Sequence, residues 1–476
     1  IRWMQVALAL LLLHRLAVLL YGDLPLDVEE TYYLFWSTAP DLGYYSKPPI
    51  IAWLLAVQSA LFGTGEAAVK SLSLLLHAVT TLVLYSLGRR LWSPAAGWAG
   101  ALTFFSLPLI GGLSLFTTTD AALHLCWALT LRLFVEARDR GRWGWWLATG
   151  VAAGLGLMSK YTMGLLALGL LGYLLTTPAQ RRLLRDPRLW LGIAVAALVW
   201  APNLWWNAQH QFISFHHTAN IAQLDRELFH PAHLAEFLLP QWPLFGLLLA
   251  PVLVISLWRG AWDDGTRLLL WVSLPVLLVI STQSLLAEAN LNWASPAYLG
   301  LGLLAGARLW QSQRGWWLAA LLVNVLLLAV VQHYHALAHL SGVTLTRKTD
   351  PYFKRLGWRE LGEQLRPWLQ AHPDARLVSD SRRLLAYMGY YAADWPPRVA
   401  SWNPSGNINS QYDLRYDLQD SPPGPLLFVS SKPLDAKVLR SFDQPRLLAQ
   451  LHVMIYRDLE RRLYVYRMSG FRGYKP

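Results

Sequence analysis

Apolar runs of about 20 residues recur along most of this chain, and that is the length a helix needs to cross a bilayer. Eleven spans are predicted, at roughly 3–20, 67–88, 94–112, 116–137, 143–159, 161–178, 189–206, 233–258, 266–286, 291–308 and 315–334. The 476 residues could otherwise hold several soluble domains. The runs indicate a polytopic α-helical membrane protein instead. Residues 3–20 lack a small-residue cleavage site, so they read as a retained span rather than a signal peptide.

The formal net charge is +12, which in a soluble protein would suggest nucleic acid. Its placement argues for topology. Arg89 and Arg90 follow the second run, Arg138, Arg140 and Arg142 the fourth, and Arg181, Arg182, Arg185 and Arg188 the sixth. Arg259 and Arg267 separate the eighth and ninth, and Arg308 and Arg314 the tenth and eleventh. Every second connection is arginine-rich, and by the positive-inside rule those connections face the cytoplasm. The opposite face carries few cations: Lys47, Lys70, Lys160 and Arg226. Eleven spans that begin inside leave the C-terminus outside. The lipid bilayer accounts for the charge, with no nucleic-acid partner. Cys126 stands alone, so no internal disulfide forms.

The chain changes character after residue 342, which divides it into a membrane module, 1–342, and a soluble domain, 343–476. Arg347, Lys348, Lys354 and Arg355 mark the exit from the membrane and read as headgroup contacts. WRELGEQLRPWL has helical periodicity, ARLVSD reads as a strand and SRRLLAYMGYYA as a helix. RVASW and PLLFVSS read as strands, LDAKVLRSF as a helix, and LLAQLHVMIY with RLYVYRM as a closing hairpin. This predicts an α/β domain on the non-cytoplasmic side.

With that topology the unusual polar residues share one face. The first outer loop holds Asp27, Glu29 and Glu30, then Tyr44, Tyr45 and Lys47 before the stiff pair Pro48–Pro49. An apolar segment too short to span follows, so this loop reads as a membrane-surface active-site loop held by short interfacial helices. Asp120, in SLFTTTDAAL, starts span four, and Lys160, in GLMSKYTMG, breaks spans five and six. His216 and His217 follow span seven, and Glu288, Asn290 and Asn292 lie in LAEANLNWASPAY between spans nine and ten. Taken singly, each has an ordinary reading. Thr119 and Asp120 cap a helix, Lys160 snorkels to the interface, and a histidine pair in an aromatic loop is structural. Five loops that supply one surface are harder to assign to chance, since ionisable groups near the membrane are costly. Arg15 lies inside span one, about 9 Å deeper than Tyr21. It should face the bundle and meet a carboxylate or a phosphate.

Carboxylates, lysines and an arginine at an outer membrane surface suit a lipid-phosphate donor. The cations hold the phosphate, and a carboxylate orients or deprotonates the incoming nucleophile. Cations then stabilise charge on the departing phosphate.

The acidic first loop, YYSKPPI, TTTDAAL, GLMSKYT and EANLNWASPAY together resemble the bacterial GT-C glycosyltransferases, of the aminoarabinose-transferase (ArnT-like) and protein O-mannosyltransferase (PMT-like) kind. The resemblance is strongest over residues 1–300. It implies a multi-pass protein of the bacterial inner membrane whose active site and C-terminal domain are periplasmic. It implies transfer of a sugar, with inversion, from a polyprenyl-phosphate donor such as undecaprenyl phosphate. The acceptor would be an envelope lipid or glycan: lipid A, another glycolipid, a polysaccharide or a protein. By the same resemblance Asp27 and Asp120 are catalytic candidates. Lys47 and Lys160 match donor-phosphate lysines, and His216 or His217 falls near a site histidine; from the reading of the residues themselves, Arg15 is a third cation and Tyr45, Glu29, His216, His217 and Glu288 are substrate-binding candidates. Relatives that modify lipid A often carry Glu-Lys-Pro-Pro, with a glutamate able to ligate metal, where this chain has Ser46. No cofactor or divalent metal is therefore assigned. The alternative reading is a transporter or flippase of lipid-linked sugars, which would place its ionisable groups near the bilayer midplane.

Overall fold

The structure, a computed structural model, describes residues 1–222 and 229–474; Arg226 lies outside the described residues. The chain forms two compact units. One comprises residues 1–23, 41–43 and 47–334, the other 24–40, 44–46 and 335–476.

The first unit is helical, and its helices begin where side chains satisfy their ends. Ser93, Thr118, Asp186 and Asp263 accept backbone N–H groups of the turns that follow them, groups no earlier turn can satisfy. Pro94 and Pro187 sit in first turns, where the missing N–H costs nothing. Gly141, at φ +60°, ends Thr119–Arg140 in the left-handed conformation that glycine adopts without strain.

Among the described residues, five of these helices are long and apolar enough to cross a bilayer: Arg2–Tyr21, Glu66–Leu91, Pro187–Gln209, Asp264–Leu286 and Arg314–Gln332. The count rises to seven when two sharply bent pairs, Tyr161–Thr176 with Pro178–Arg185 and Pro231–Phe245 with Leu249–Arg259, are each one span. This is fewer than the eleven expected, for local reasons. Pro94–Ser106 has 13 residues and Trp143–Ser159 has 17. Thr119–Arg140 is long enough but carries Asp120, Arg132, Glu136, Arg138, Asp139 and Arg140. The outer faces suit hydrocarbon: Leu10, Leu198 and Leu278 are each more than 60% exposed. Small residues let the helices close up. A Cβ on Gly306 would lie 2.4 Å from the Ala99 carbonyl oxygen, so Ser295–Ser312 and Pro94–Ser106 meet backbone to backbone.

Ion pairs tie the arginine-rich helix ends together. Arg90 meets Asp139 at 2.6 Å and Arg138 meets Asp264 at 2.6 Å. The C-terminal ends of Glu66–Leu91 and Thr119–Arg140 thus gather with the N-terminal end of Asp264–Leu286.

The second unit is α/β. Its strands are β1 (Arg376–Ser379), β2 (Val399–Ser401), β3 (Leu426–Ser430), β4 (Arg446–Tyr456) and β5 (Leu459–Met468). They lie in the order β2-β1-β3-β5-β4, with β1 parallel to β2 and β3, and β5 antiparallel to β3 and β4. β3 is buried at every position, as a central strand covered on both faces must be. Helices Trp358–Gln370, Arg382–Tyr391 and Ala436–Arg440 lie in the three segments expected to be helical. Trp402, Phe428, Phe442 and Met468 build the core.

Residues 24–40 fold with this unit. Asp27 caps helix Val28–Trp36: its side chain accepts the Glu29 N–H, and the Glu30 carboxylate accepts the Asp27 N–H in return. Tyr32 and Phe35 then pack on Tyr412, with ring centroids 5.4 and 4.8 Å away. Trp36 stacks on Tyr44 at 4.6 Å.

Candidate active site

Asp120 is the centre of a buried polar cluster in the first unit. Thr118, not Thr119 or Asp120, supplies the helix cap, so the Asp120 carboxylate is left for other partners. Lys160 Nζ donates to Oδ1 at 2.6 Å, and Asn292 Nδ2 donates to Oδ2 at 2.7 Å. The side chains of Asp120 and Lys160 are 2% and 14% exposed. Three breaks in the helical pattern position them: the start of Thr119–Arg140, the end of Trp143–Ser159, and the short turn Leu291–Ala294. An ammonium has three donors, and Asp120 takes one from Lys160.

A second polar line runs beside this pair. His124, one helical turn beyond Asp120, meets Ser295 Oγ through Nε2 at 2.8 Å and His77 Nε2 through Nδ1 at 3.2 Å. The His77 ring reaches the Ser73 carbonyl at 2.8 Å through Nδ1. His77, His124 and Ser295 are all fully buried. Sequence reasoning missed both histidines. The signal was present, because they are ionisable residues within predicted spans, the criterion that singled out Arg15. The line braces the helix that presents Asp120. His124→Leu removes the partner of the Ser295 hydroxyl and of His77 Nε2, so thermal unfolding in detergent should show a loss of about 1–3 kcal/mol.

Arg15 faces the interior as expected and is 1% exposed. It meets no carboxylate among the described residues. It donates through Nη2 to the Phe105 carbonyl, and its guanidinium lies 3.9 Å from the centroid of the Phe105 ring. Its Nη1 is buried with no hydrogen-bond partner.

The first loop is anchored at residues 41–43. Asp41 accepts the Trp206 indole N–H at 2.8 Å, and Asn203 donates to the Leu42 carbonyl at 2.8 Å. Gly43 is glycine by necessity, since a Cβ would lie 2.4 Å from the Trp206 ring. Lys47 follows, half-buried, and after Pro48–Pro49 the apolar helix Ile50–Phe62 begins.

Asp27, Glu29 and Tyr45 belong to the second unit. Arg355 Nε donates to Asp27 Oδ2 at 2.9 Å, and Arg382 Nη1 to Glu29 Oε1 at 2.9 Å. Burial works against the Arg382 charge, yet Glu29 holds its guanidinium above the usual range. Tyr45 is buried, with its backbone N–H donated to Gln411 Oε1 at 2.8 Å. Burial pushes its phenol up, and Asp413 adds to the shift. The basic segment 347–355 thus gives up at least Arg355 to a carboxylate, contrary to its reading as headgroup contact.

The remaining candidates lie on two other segments of the first unit. His216 is exposed and His217 half-buried on helix Ile213–Ala222. That helix is fastened beside Lys160 by Ser214, which meets the Tyr161 hydroxyl at 2.7 Å. Glu288 is exposed, and in its loop it is Asn292 that reaches Asp120. Among the described residues no three His, Cys, Asp or Glu side chains group as metal ligands.

Comparison with known proteins adds identity to this geometry. Residues 46–206 match the family model described as dolichyl-phosphate-mannose-protein mannosyltransferase. The chain is 31% identical over 428 residues to the lipid A galacturonosyltransferase RgtD of Rhizobium johnstonii, covering 88% of both proteins. It is 31% identical over 278 residues to an undecaprenyl phosphate-alpha-4-amino-4-deoxy-L-arabinose arabinosyl transferase of Pseudomonas savastanoi. That match spans 55% of this chain and about half, 51%, of the longer relative. Its fold is similar to the crystal structure of ArnT from Cupriavidus metallidurans bound to undecaprenyl phosphate, with a TM-score of 0.68, 17% identity, and coverage of 97% of this chain and 98% of the other.

Proposed function

Because the chain belongs to the bacterial GT-C glycosyltransferases of the aminoarabinose-transferase and protein-mannosyltransferase kind, we propose that it moves a sugar from a polyprenyl-phosphate donor to lipid A or a related envelope acceptor. The observation that carries this reading is the buried Asp120, fixed by Lys160 and Asn292 at a helix start. Lys160 offers its remaining donors to the donor phosphate, and Lys47 and the half-satisfied Arg15 are the further cations. As the sugar leaves, charge builds on the phosphate, and cations held in a low-dielectric site stabilise it. Asp120 holds Lys160 in place. Asp27, held by the Glu29 N–H and by Arg355, is the base that engages the acceptor hydroxyl or amine, and attack opposite the phosphate inverts the anomeric carbon. No step is routed through a metal.

The named relatives are transferases, which favours this reading over a transporter of lipid-linked sugars. The relative matched over nearly its whole length acts with galacturonic acid, so a polyprenyl-phosphate galacturonic acid is the first donor to try, beside its aminoarabinose counterpart. Purified protein given donor and lipid A should release free polyprenyl phosphate and add one sugar mass to the lipid. Absence of release with every polyprenyl-phosphate sugar offered overturns the proposal.

We read the site as periplasmic. Four further helical segments, 94–113, 119–140, 143–159 and 295–312, complete eleven crossings if each also spans. Residues 343–476 then lie outside as a periplasmic domain. Reporter fusions after Arg182 and after Trp358 should fall on opposite sides of the membrane. Finding both on one side removes the topology.

A further inference from the structure

We propose that the first unit holds one anionic phospholipid at the end away from Asp120, with its phosphate among arginines and an acyl chain in an adjoining apolar cavity. Arg138 lies eighteen residues along the helix from Asp120, about 27 Å at 1.5 Å per residue, so this is not the site described above. A polar pocket of about 680 Å³ there is lined by Arg138, Arg140, Arg182, Arg185 and Arg188 against Asp139 and Asp186. Three of these arginines are already taken: Arg138 by Asp139 and Asp264, Arg140 by Glu136, and Arg188 by Asp186. Arg182 and Arg185 make no ion pair among the described residues. They are the cations available to an incoming anion.

Neighbouring residues of the same segments line an apolar cavity of about 360 Å³ among Thr119–Arg140, Trp143–Ser159, Gly164–Thr176 and Pro187–Gln209. Leu183 and Arg188 line the pocket, while their neighbours Leu184 and Leu189 line the cavity. Along Trp143–Ser159, Trp143 faces the pocket, and Trp146, Gly150, Ala153 and Leu157 continue the wall of the cavity. From Trp146 to Leu157 is about 16 Å, roughly half of a 30 Å hydrocarbon core, the depth of one leaflet. Trp143 and Trp190, 52% and 57% exposed, mark a headgroup level of the kind tryptophan favours.

One polar atom between pocket and cavity lacks a partner. Trp146 is 1% exposed, yet its indole N–H is buried with no hydrogen bond. It lies one turn beyond Trp143, between the arginines and the apolar wall, the level at which a glycerophospholipid carries its ester carbonyls. Phosphate, ester and chain each find matching chemistry in order. A free phosphate would use only the first of the three.

The test is native mass spectrometry of the whole protein, delipidated in detergent and offered phosphatidylglycerol, phosphatidylcholine or glycerol 3-phosphate. One phosphatidylglycerol should be retained per chain, at least tenfold more tightly than phosphatidylcholine. Glycerol 3-phosphate should not compete. The Arg182→Gln/Arg185→Gln variant changes only exposed side chains, and it should lose the preference while remaining folded. Ala153→Phe, with both arginines present, should reduce retention several-fold by filling the cavity. Equal retention of the two lipids, or unchanged binding in the arginine variant, overturns the proposal. Full competition by glycerol 3-phosphate replaces it with a free-phosphate site.

Discussion

A Lys160→Met/Asp120→Asn double variant should fold almost as the parent does and yet transfer sugar about 10²–10³-fold more slowly. The single variants are harder to read. Lys160→Ala leaves a carboxylate 2% exposed with Asn292 as its remaining hydrogen-bond partner among the described residues, and stranding a buried charge costs about 3–5 kcal/mol. Part of any lost activity would then be lost protein. Asp120→Asn alone leaves a lysine whose long stem can carry its charge toward the interface. Removing both charges together avoids the stranded ion, and replacing a buried pair with neutral groups of similar volume is often tolerated. Transfer at the parental rate in the folded double variant would make the pair structural and end the donor-site reading. Donor binding measured beside transfer tells whether the loss lies in holding the phosphate or in the chemical step.

The other large effect is expected at Asp27. Asp27→Asn should lower transfer about 10²–10⁴-fold, the range for losing a general base, with little change in stability. Asparagine caps a helix as well as aspartate does, so Val28–Trp36 keeps its start. The Arg355 pair is only partly buried, with side chains 20% and 28% exposed, and such pairs contribute about 0–1 kcal/mol. Asp27→Ala should add a capping loss of about 1 kcal/mol. If Asp27→Asn transfers normally, Asp27 serves as a helix cap and as a partner for Arg355, and the acceptor is activated elsewhere.

The membrane character, the arginine alternation, the strands of the C-terminal segment and three of its helices were legible from periodicity and charge, whereas the short helix Gln411–Arg415 was not. Those signals are local. What the sequence could not supply was pairing across long separations. Asp120 and Lys160 were each visible, but their 2.6 Å contact depends on where two helices end. Three polar residues lie close together at Glu288, Asn290 and Asn292, and the turn Leu291–Ala294 decides that Asn292 is the one that reaches Asp120. Arg355 read as a headgroup contact because its neighbours are basic, and its carboxylate partner stands 328 residues away. Strand order was equally hidden, since a parallel β1–β3 pair and an antiparallel β3–β5 pair draw on the same apolar runs.

The folding of residues 24–40 with 335–476 bears on how such enzymes could be recombined. A chimera that exchanges the C-terminal segment alone would part Val28–Trp36 from Tyr412, and Leu26 from the Tyr391 hydroxyl that accepts its N–H. The Tyr32, Phe35 and Trp36 rings, each under 5% exposed, would then face whatever surface the donor happened to bring. A working graft has to carry two separate stretches of gene, the short one near the start and the long one at the end. Variation that alters specificity in one stretch is therefore constrained by the other, although residues 47–334 come between them in the chain.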